Sequence, residues 1–200
     1  MADAVRNPLL DLAEHLVLNT PLTPTRARTR PCPPRAGTTG RRPRAPLVGG
    51  PHHPRWIAIR VLATHGDHRD IELMLSTVER PPGDDWCGYD VAATGLARLP
   101  GSTAEHDAAA HRAVPLLERL WSDTPHSCER AAYLEALNAP SPARPDHLLV
   151  EGLWDCEEHV RAFAAARAPL TRETRARLRD LADDPIETTT VRTAAADRLA

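Results

Sequence analysis

CGYDVAATGLARLP (87–100), CERAAYLEALNAP (128–140) and CEEHVRAFAAARAP (156–169) are three versions of one run. Each opens on Cys. An apolar or small residue follows four positions later (Val91, Ala132, Val160), and a small one eight positions later (Gly95, Ala136, Ala164). Each run closes on Pro. Groups four apart share one face of an α-helix, and a terminal Pro cannot continue the helix. Upstream, IAIRVLATHG (57–66) fits the register through Ile57 and Leu62, and downstream VRTAAADRLA (191–200) fits through Val191. The key apolar positions 57, 91, 132, 160 and 191 lie on average a little over 30 residues apart. That is a helix-pair period.

Between these runs lie HRDIELMLSTVER (68–80), AEHDAAAHRAVPLLERLW (104–121), PDHLLVEGLW (145–154) and TRETRARLRDLADD (171–184). Each carries its own apolar stripe and reads as the partner helix of a hairpin. A lone hairpin cannot bury its apolar face, but stacked hairpins make a continuous core. Asp67 with Asp70, Ser102 with Glu105, Asp155 with Glu158 and Asp184 with Glu187 mark helix starts; the last three predict capping boxes. The four Trp (56, 86, 121, 154) recur at similar intervals and read mainly as packing residues.

The expected architecture is all-α: a solenoid of about four to five helix pairs over residues 55–200. Ahead of it, residues 1–19 carry an amphipathic helix with Leu9, Leu10, Leu12, Leu16 and Leu18 in its stripe. This helix could cap the open end of the array. Residues 20–54 are rich in Pro and Arg and nearly lack large apolar residues. They read as a disordered linker, either a plain spacer or a basic tail for an acidic partner.

Composition narrows the function. All 25 basic residues are Arg, so Schiff-base chemistry and lysine-dependent phosphate loops are excluded. GxGxxG, GxSxG and HExxH are absent. The chain beyond Trp56 carries an excess of about eight acidic charges, a poor match for nucleic acid. The N-terminus does not read as a signal peptide, and no apolar run approaches a bilayer span. A reducing cytoplasm with free thiols is the expected setting.

Candidate chemistry has plain structural rivals. Cys128, Cys156 and His159 are zinc-ligand types, but no CxxC is present. Each repeated Cys therefore reads as a small hydrophobe in a first helical turn. His65-Gly66-Asp67-His68 reads as a turn, and His106 and His111, five apart, do not share a face well. Carboxylate pairs such as Asp84/Asp85, Glu157/Glu158 and Asp183/Asp184 sit at helix starts, where the helix dipole favours anions. No catalytic group, metal or cofactor is expected. Positions two and five after each Cys are expected to form one exposed face: Tyr89, Arg130 and Glu158, then Ala92, Tyr133 and Arg161. Tyr89, Arg130, Tyr133, Glu158 and Arg161 are thus the candidate partner-binding residues.

The runs VRAFAAA (160–166) and VRTAAA (191–196), with Asp155 and Asp184 shortly before them, resemble the HEAT-like helical repeats, including the short-period type of bilin lyase relatives. Val91 and Ala132 are followed by Ala92 and Tyr133, where that family carries Arg. The resemblance implies an α-solenoid whose second helices line a concave side and bind other proteins; it implies no reaction. The leading expectation is a non-catalytic protein-interaction or scaffold protein whose partner is another protein. Two rivals are an accessory lyase of the bilin-lyase-like type, needing a tetrapyrrole-sized groove, and a glycosylase-like DNA-binding repeat protein, needing a basic concave face.

Overall fold

The computed structural model describes residues 7–19, 54–79, 88–98, 104–139 and 145–200. The described residues form ten α-helices and two short 3-10 segments, with no strand among them. The helices are α1 (Pro8–Asn19), α2 (Pro54–His65), α3 (Ile71–Glu79), α4 (Tyr89–Arg98) and α5 (Ala104–Asp123), followed by α6 (Arg130–Leu137), α7 (Asp146–Gly152), α8 (Glu158–Arg167), α9 (Arg172–Asp183) and α10 (Thr189–Leu199). The proposed linker, apart from Pro54, lies outside the described residues, as do Cys87, Trp86 and the Ser102 cap.

Alternate helices pack in chain order: α2 on α4, α4 on α6, α6 on α8 and α8 on α10. The helices between them lie against this row, with α3 on α4 and α5, α5 on α6, α7 on α8 and α9 on α10. Large side chains fill the space between: Leu62, Met74 and Leu75 at one end, Trp121, Tyr133 and Leu134 in the middle, Leu149, Leu153 and Leu178 beyond. Small residues bring the row close together. A Cβ on Gly95 would stand 2.9 Å from the Ala63 Cα and 2.5 Å from the Met74 Sδ, so α2, α3 and α4 converge on a hydrogen atom. Gly88, just before α4, has φ +101°, and the Trp56 ring lies 3.1 Å from its Cβ position. Both the backbone and the ring require glycine there.

The phase of the helices corrects the sequence alignment. Val160 and Val191 are buried as expected, but Ile57 is 51% exposed and Val91 and Ala132 are half-buried. Their places inside are taken by the next residues, Ala58, Ala92 and Tyr133. A one-residue slip turns a helix by about 100°. The repeated Cys is therefore a poor anchor for the register. It is not a buried small hydrophobe either: Cys128 and Cys156 are free and exposed. In α1, Leu10, Ala13 and Val17 face inward and Leu16 packs against the core, while Leu9, Leu12 and Leu18 are exposed, so only Leu10 and Leu16 of the expected stripe lie on the packed face. α1 packs on α2. Of the four Trp, Trp121 is buried, Trp56 is half-buried and Trp154 is 49% exposed.

The caps also differ in detail. Asp67 and Asp70 do form a reciprocal box, with Asp67 accepting from the Arg69 amide and Asp70 from the Asp67 amide. Asp155 and Asp184 instead close Asx turns, accepting from the Glu157 and Ile186 amides at 2.8 and 2.9 Å. The N-cap of α10 is Thr188, whose hydroxyl accepts from Val191. α9 starts on a Thr171–Thr174 box that the acidic pattern does not reveal. The convergence at Gly95 sets a stability prediction. Gly95→Val forces two methyl groups into the α2–α3–α4 contact and is expected to lower stability by about 2 kcal/mol, read as a drop in the urea midpoint at unchanged slope.

Candidate functional site

The expected row of partner-binding residues does not form an open surface. Tyr89 is buried edge-on against Trp56, with ring centroids 5.7 Å apart. Tyr133 is fully buried, and its hydroxyl donates to Glu129 Oε2 at 2.6 Å. Ala92 is buried as well. The slip in register explains all three: it turns positions two and five after the Cys inward in α4 and position five inward in α6. Arg130 lies over the Trp121 ring, 3.9 Å from its centroid. It also donates to Glu151 at 3.2 Å, and its Nε stands 2.7 Å from Asp155 Oδ2. That Nε has no aligned hydrogen-bond acceptor, so its contact with Asp155 is one of charge. Arg161 holds Glu187 with two hydrogen bonds of 2.7 Å and donates to the carbonyls of Asp155 and Cys156 at 2.8 Å. Glu158 is half-buried, 3.9 Å from His159.

These contacts tie successive helices of the row together. The Gly88 amide, at the start of α4, donates to Glu129 at the start of α6 (2.8 Å). Arg130 of α6 meets Asp155 just before α8, and Arg161 of α8 meets Glu187 just before α10. The acid before α10 is thus Glu187 and not the expected Asp184. Two carboxylates in the ladder sit in opposite environments. The Arg161 guanidinium holds the Glu187 carboxyl below its ordinary range. Burial pushes the Glu129 carboxyl up, against the opposing bonds from Tyr133 and Gly88. Burial and Glu129 likewise hold the Tyr133 hydroxyl well above the usual phenol range, so it stays a donor.

The open feature of this region lies around the other side of the same helices. On α8, Ala162, Phe163 and Ala166 point away from buried Val160, Ala164 and Ala165, as about 100° per residue dictates. Ala162 and Phe163 share a groove of 530 Å³ with Ala131 and Ala132 of α6 and Thr190 and Ala194 of α10. A second depression, of 710 Å³, lies between α8 and α10 and shares Thr190 and Ala194 with the first. Cys128, Glu135, His159 and Arg167 border the first; Asp197 and Arg198 border the second. The Arg167 guanidinium lies flat on Phe163, 3.9 Å from the ring centroid. Burial, and next the Glu129 charge, raise the Cys128 thiol, so it stays protonated at neutral pH and is a weak nucleophile.

Among the described residues no cluster of three or more His, Cys, Asp or Glu could hold a metal ion. No helix formed by them is long and apolar enough to cross a membrane. The signal for the groove was present in the sequence as Ala131-Ala132, Ala162, Ala166 and Ala194. The alignment of the runs expects Ala132 inside, and the HEAT-like resemblance counts Ala162, Ala166 and Ala194 among its small residues without assigning them to a face.

The ladder makes two predictions. Arg161→Ala leaves Glu187 without its partner at a site where the two side chains are 15% and 8% exposed. Residual solvent screening keeps the expected loss to about 2 kcal/mol, measured by urea unfolding at neutral pH. The pH responses of the two carboxylates oppose each other. Glu187, with its lowered value, stabilises the fold above the ordinary carboxyl range, and that contribution disappears as pH falls through its folded value. Glu129, with its raised value, favours the fold in its protonated form, and that contribution disappears as pH rises through its folded value. Glu187→Gln should therefore flatten the acid limb of the stability profile, and Glu129→Gln should flatten the limb just above the ordinary carboxyl range. Unfolding midpoints from about pH 3 to about pH 7 check both signs.

Comparison with protein-family models, with curated proteins and with solved structures finds no match to the chain.

Proposed function

We propose that the chain is a non-catalytic protein-interaction or scaffold module, a HEAT-like α-solenoid that receives a partner protein in the groove over α6, α8 and α10. One observation carries the reading: a small-residue floor runs over three successive helices, and the polar ladder holds those helices to one another from another side. A braced floor keeps its shape without a partner, so little ordering entropy is lost on binding. The roles first assigned to Tyr89, Arg130, Tyr133, Glu158 and Arg161 change accordingly. Four of them support the helices, Tyr89 and Tyr133 from the core and Arg130 and Arg161 from the ladder; Glu158 is the first residue of α8. The exposed free thiols of Cys128 and Cys156 fit a reducing compartment such as the cytoplasm.

Ala162→Arg tests the reading, because it places a long cation in the middle of the floor while keeping a good helix former. Full-length wild type, Ala162→Arg and the distant surface variant Leu18→Ser are used as bait in native lysate, with melting curves confirming that all three fold. The expected result is one stoichiometric protein captured by wild type and Leu18→Ser and lost at least tenfold by Ala162→Arg, about 1.4 kcal/mol or more of binding energy. Equal capture by Ala162→Arg, or recovery of only nucleic acid or a coloured ligand, overturns it.

A further inference from the structure

We infer that the outward side of α1 is a self-association surface, paired in solution with the same side of a second copy of this chain. The observation is a concentration of exposed apolar side chains. Among the described residues, the exposed large hydrophobics are Leu9, Leu12 and Leu18 on α1, Ile57 on α2, and Trp154 and Ile186. Four of the six thus lie on one packed pair of helices. Leu9 and Leu12 are 66% and 55% exposed, although α1 already buries Leu10, Ala13 and Val17.

At about 100° per residue, Leu9, Leu12 and half-buried Leu16 run along one side of α1 at i, i+3 and i+7. That spacing is the seam by which two helices pair. Pro8, His15 and Asn19, all exposed, border it, and these six residues include no Asp, Glu or Arg. Leu18 stands about 180° from Leu9. The two acids of the helix, Asp11 and Glu14, stand roughly 200° and 140° from Leu9. Asp11 is close enough to Arg69 to act on its guanidinium.

Charge and closure choose the occupant. A two-fold contact sets one patch against its own image, so any net charge on the patch meets the same charge. The chain beyond Trp56 is acidic, which opposes self-pairing over much of its surface. The Leu9–Leu12–Leu16 side of α1 escapes that repulsion and gains by taking leucine out of water. A two-fold pairing also closes, because leucine meets leucine and no apolar side is left over. Insertion of α1 into a different face of the next copy would leave a free α1 at every step and grow a filament. Residues 20–53 of the same chain supply only Leu22, Leu47 and Val48 as large apolar side chains, a poor cover for the seam. α1 has 12 residues and is about 18 Å long. One such helix per copy makes less than the roughly 1,600 Å² of a standard interface, so the association is weak and reversible.

Sedimentation equilibrium of the full-length chain from about 1 to about 300 μM tests the pairing. Leu12→Glu and Leu12→Arg each set a charge beside its own image near the two-fold axis. Leu18→Glu charges the opposite side of α1, and Ala162→Arg obstructs the groove. Melting curves confirm that all four variants fold. The expected result is one concentration-dependent dimer for wild type, Leu18→Glu and Ala162→Arg. Leu12→Glu and Leu12→Arg are each expected to associate at least tenfold more weakly, and an equal mixture of the two to recover the dimer. Wild type that stays monomeric at the highest concentration overturns the proposal. So does a dimer that persists in both Leu12 variants, or a mixture of them that fails to recover it. Loss of association with Ala162→Arg, or open-ended growth, overturns the two-fold pairing in favour of α1 entering the groove of the next copy. No α1 residue lines either depression, so a monomeric wild type leaves the groove reading untouched.

Discussion

The pairing of Arg161 with Glu187 is the contact on which the order of the row most depends. A helix pair buries its apolar stripe against its neighbours without directional preference, because hydrophobic contact is non-directional. Something must fix which end of one helix meets which end of the next. Two hydrogen bonds between a guanidinium and a carboxylate do so, since both bonds form only in one relative placement. The same arginine also donates to the carbonyls of Asp155 and Cys156, so it shapes the turn into its own helix while holding the next one. Arg130 repeats the arrangement one step earlier with Trp121, Glu151 and Asp155. The tie from α4 to α6 is made without an arginine, by Glu129 accepting from the Gly88 amide, while Arg98 of α4 donates to the Ala63 and Gly66 carbonyls at the end of α2.

Among the described residues no arginine pairs with Glu129, and burial is the largest influence on its carboxyl. It is held by an amide and a phenol, both neutral donors. Such bonds are individually weaker than those to an ion. The Tyr133 ring compensates by filling the centre of the core beside Leu134 and Leu137. The middle of the array thus relies more on packing, and its end more on charge.

The helices were legible because their signals are local. Nine sequence runs, bounded by Pro and acidic caps, match α2 to α10 to within a few residues, and the Leu-rich start matches α1. The site was not legible, because it depends on phase. Cys, Val and Pro set a repeat by eye, yet Cys128 and Cys156 are exposed. What fixes the phase is which residue meets the neighbouring helix. In α6 that is Tyr133, a side chain that sequence reading treats as a ready surface anchor because of its hydroxyl. Its buried hydroxyl is answered by Glu129, four residues earlier. Arg161 is a similar case: its partner lies 26 residues on, beyond any local pattern.

The same geometry explains why alanines of three helices meet in the groove. A helix in the row has neighbours on two sides and a partner helix on a third, which leaves one arc to solvent. On α8 the ladder residue Arg161 and the core residues Val160, Ala164 and Ala165 occupy the other arcs. An ordinary solvated arc would carry Glu, Arg or Asp throughout, as the exposed side of α9 does with Arg172, Glu173, Arg175 and Arg179. On α8 the open arc instead carries Ala162, Phe163 and Ala166 together with His159 and Arg167. Helix propensity alone permits alanine there but does not require it. The contrast between α8 and α9, two neighbouring helices of similar length, lies in what faces outward. The alanines that line the groove thus belong to the row of alternate helices α6, α8 and α10, and not to α9, which lies against that row.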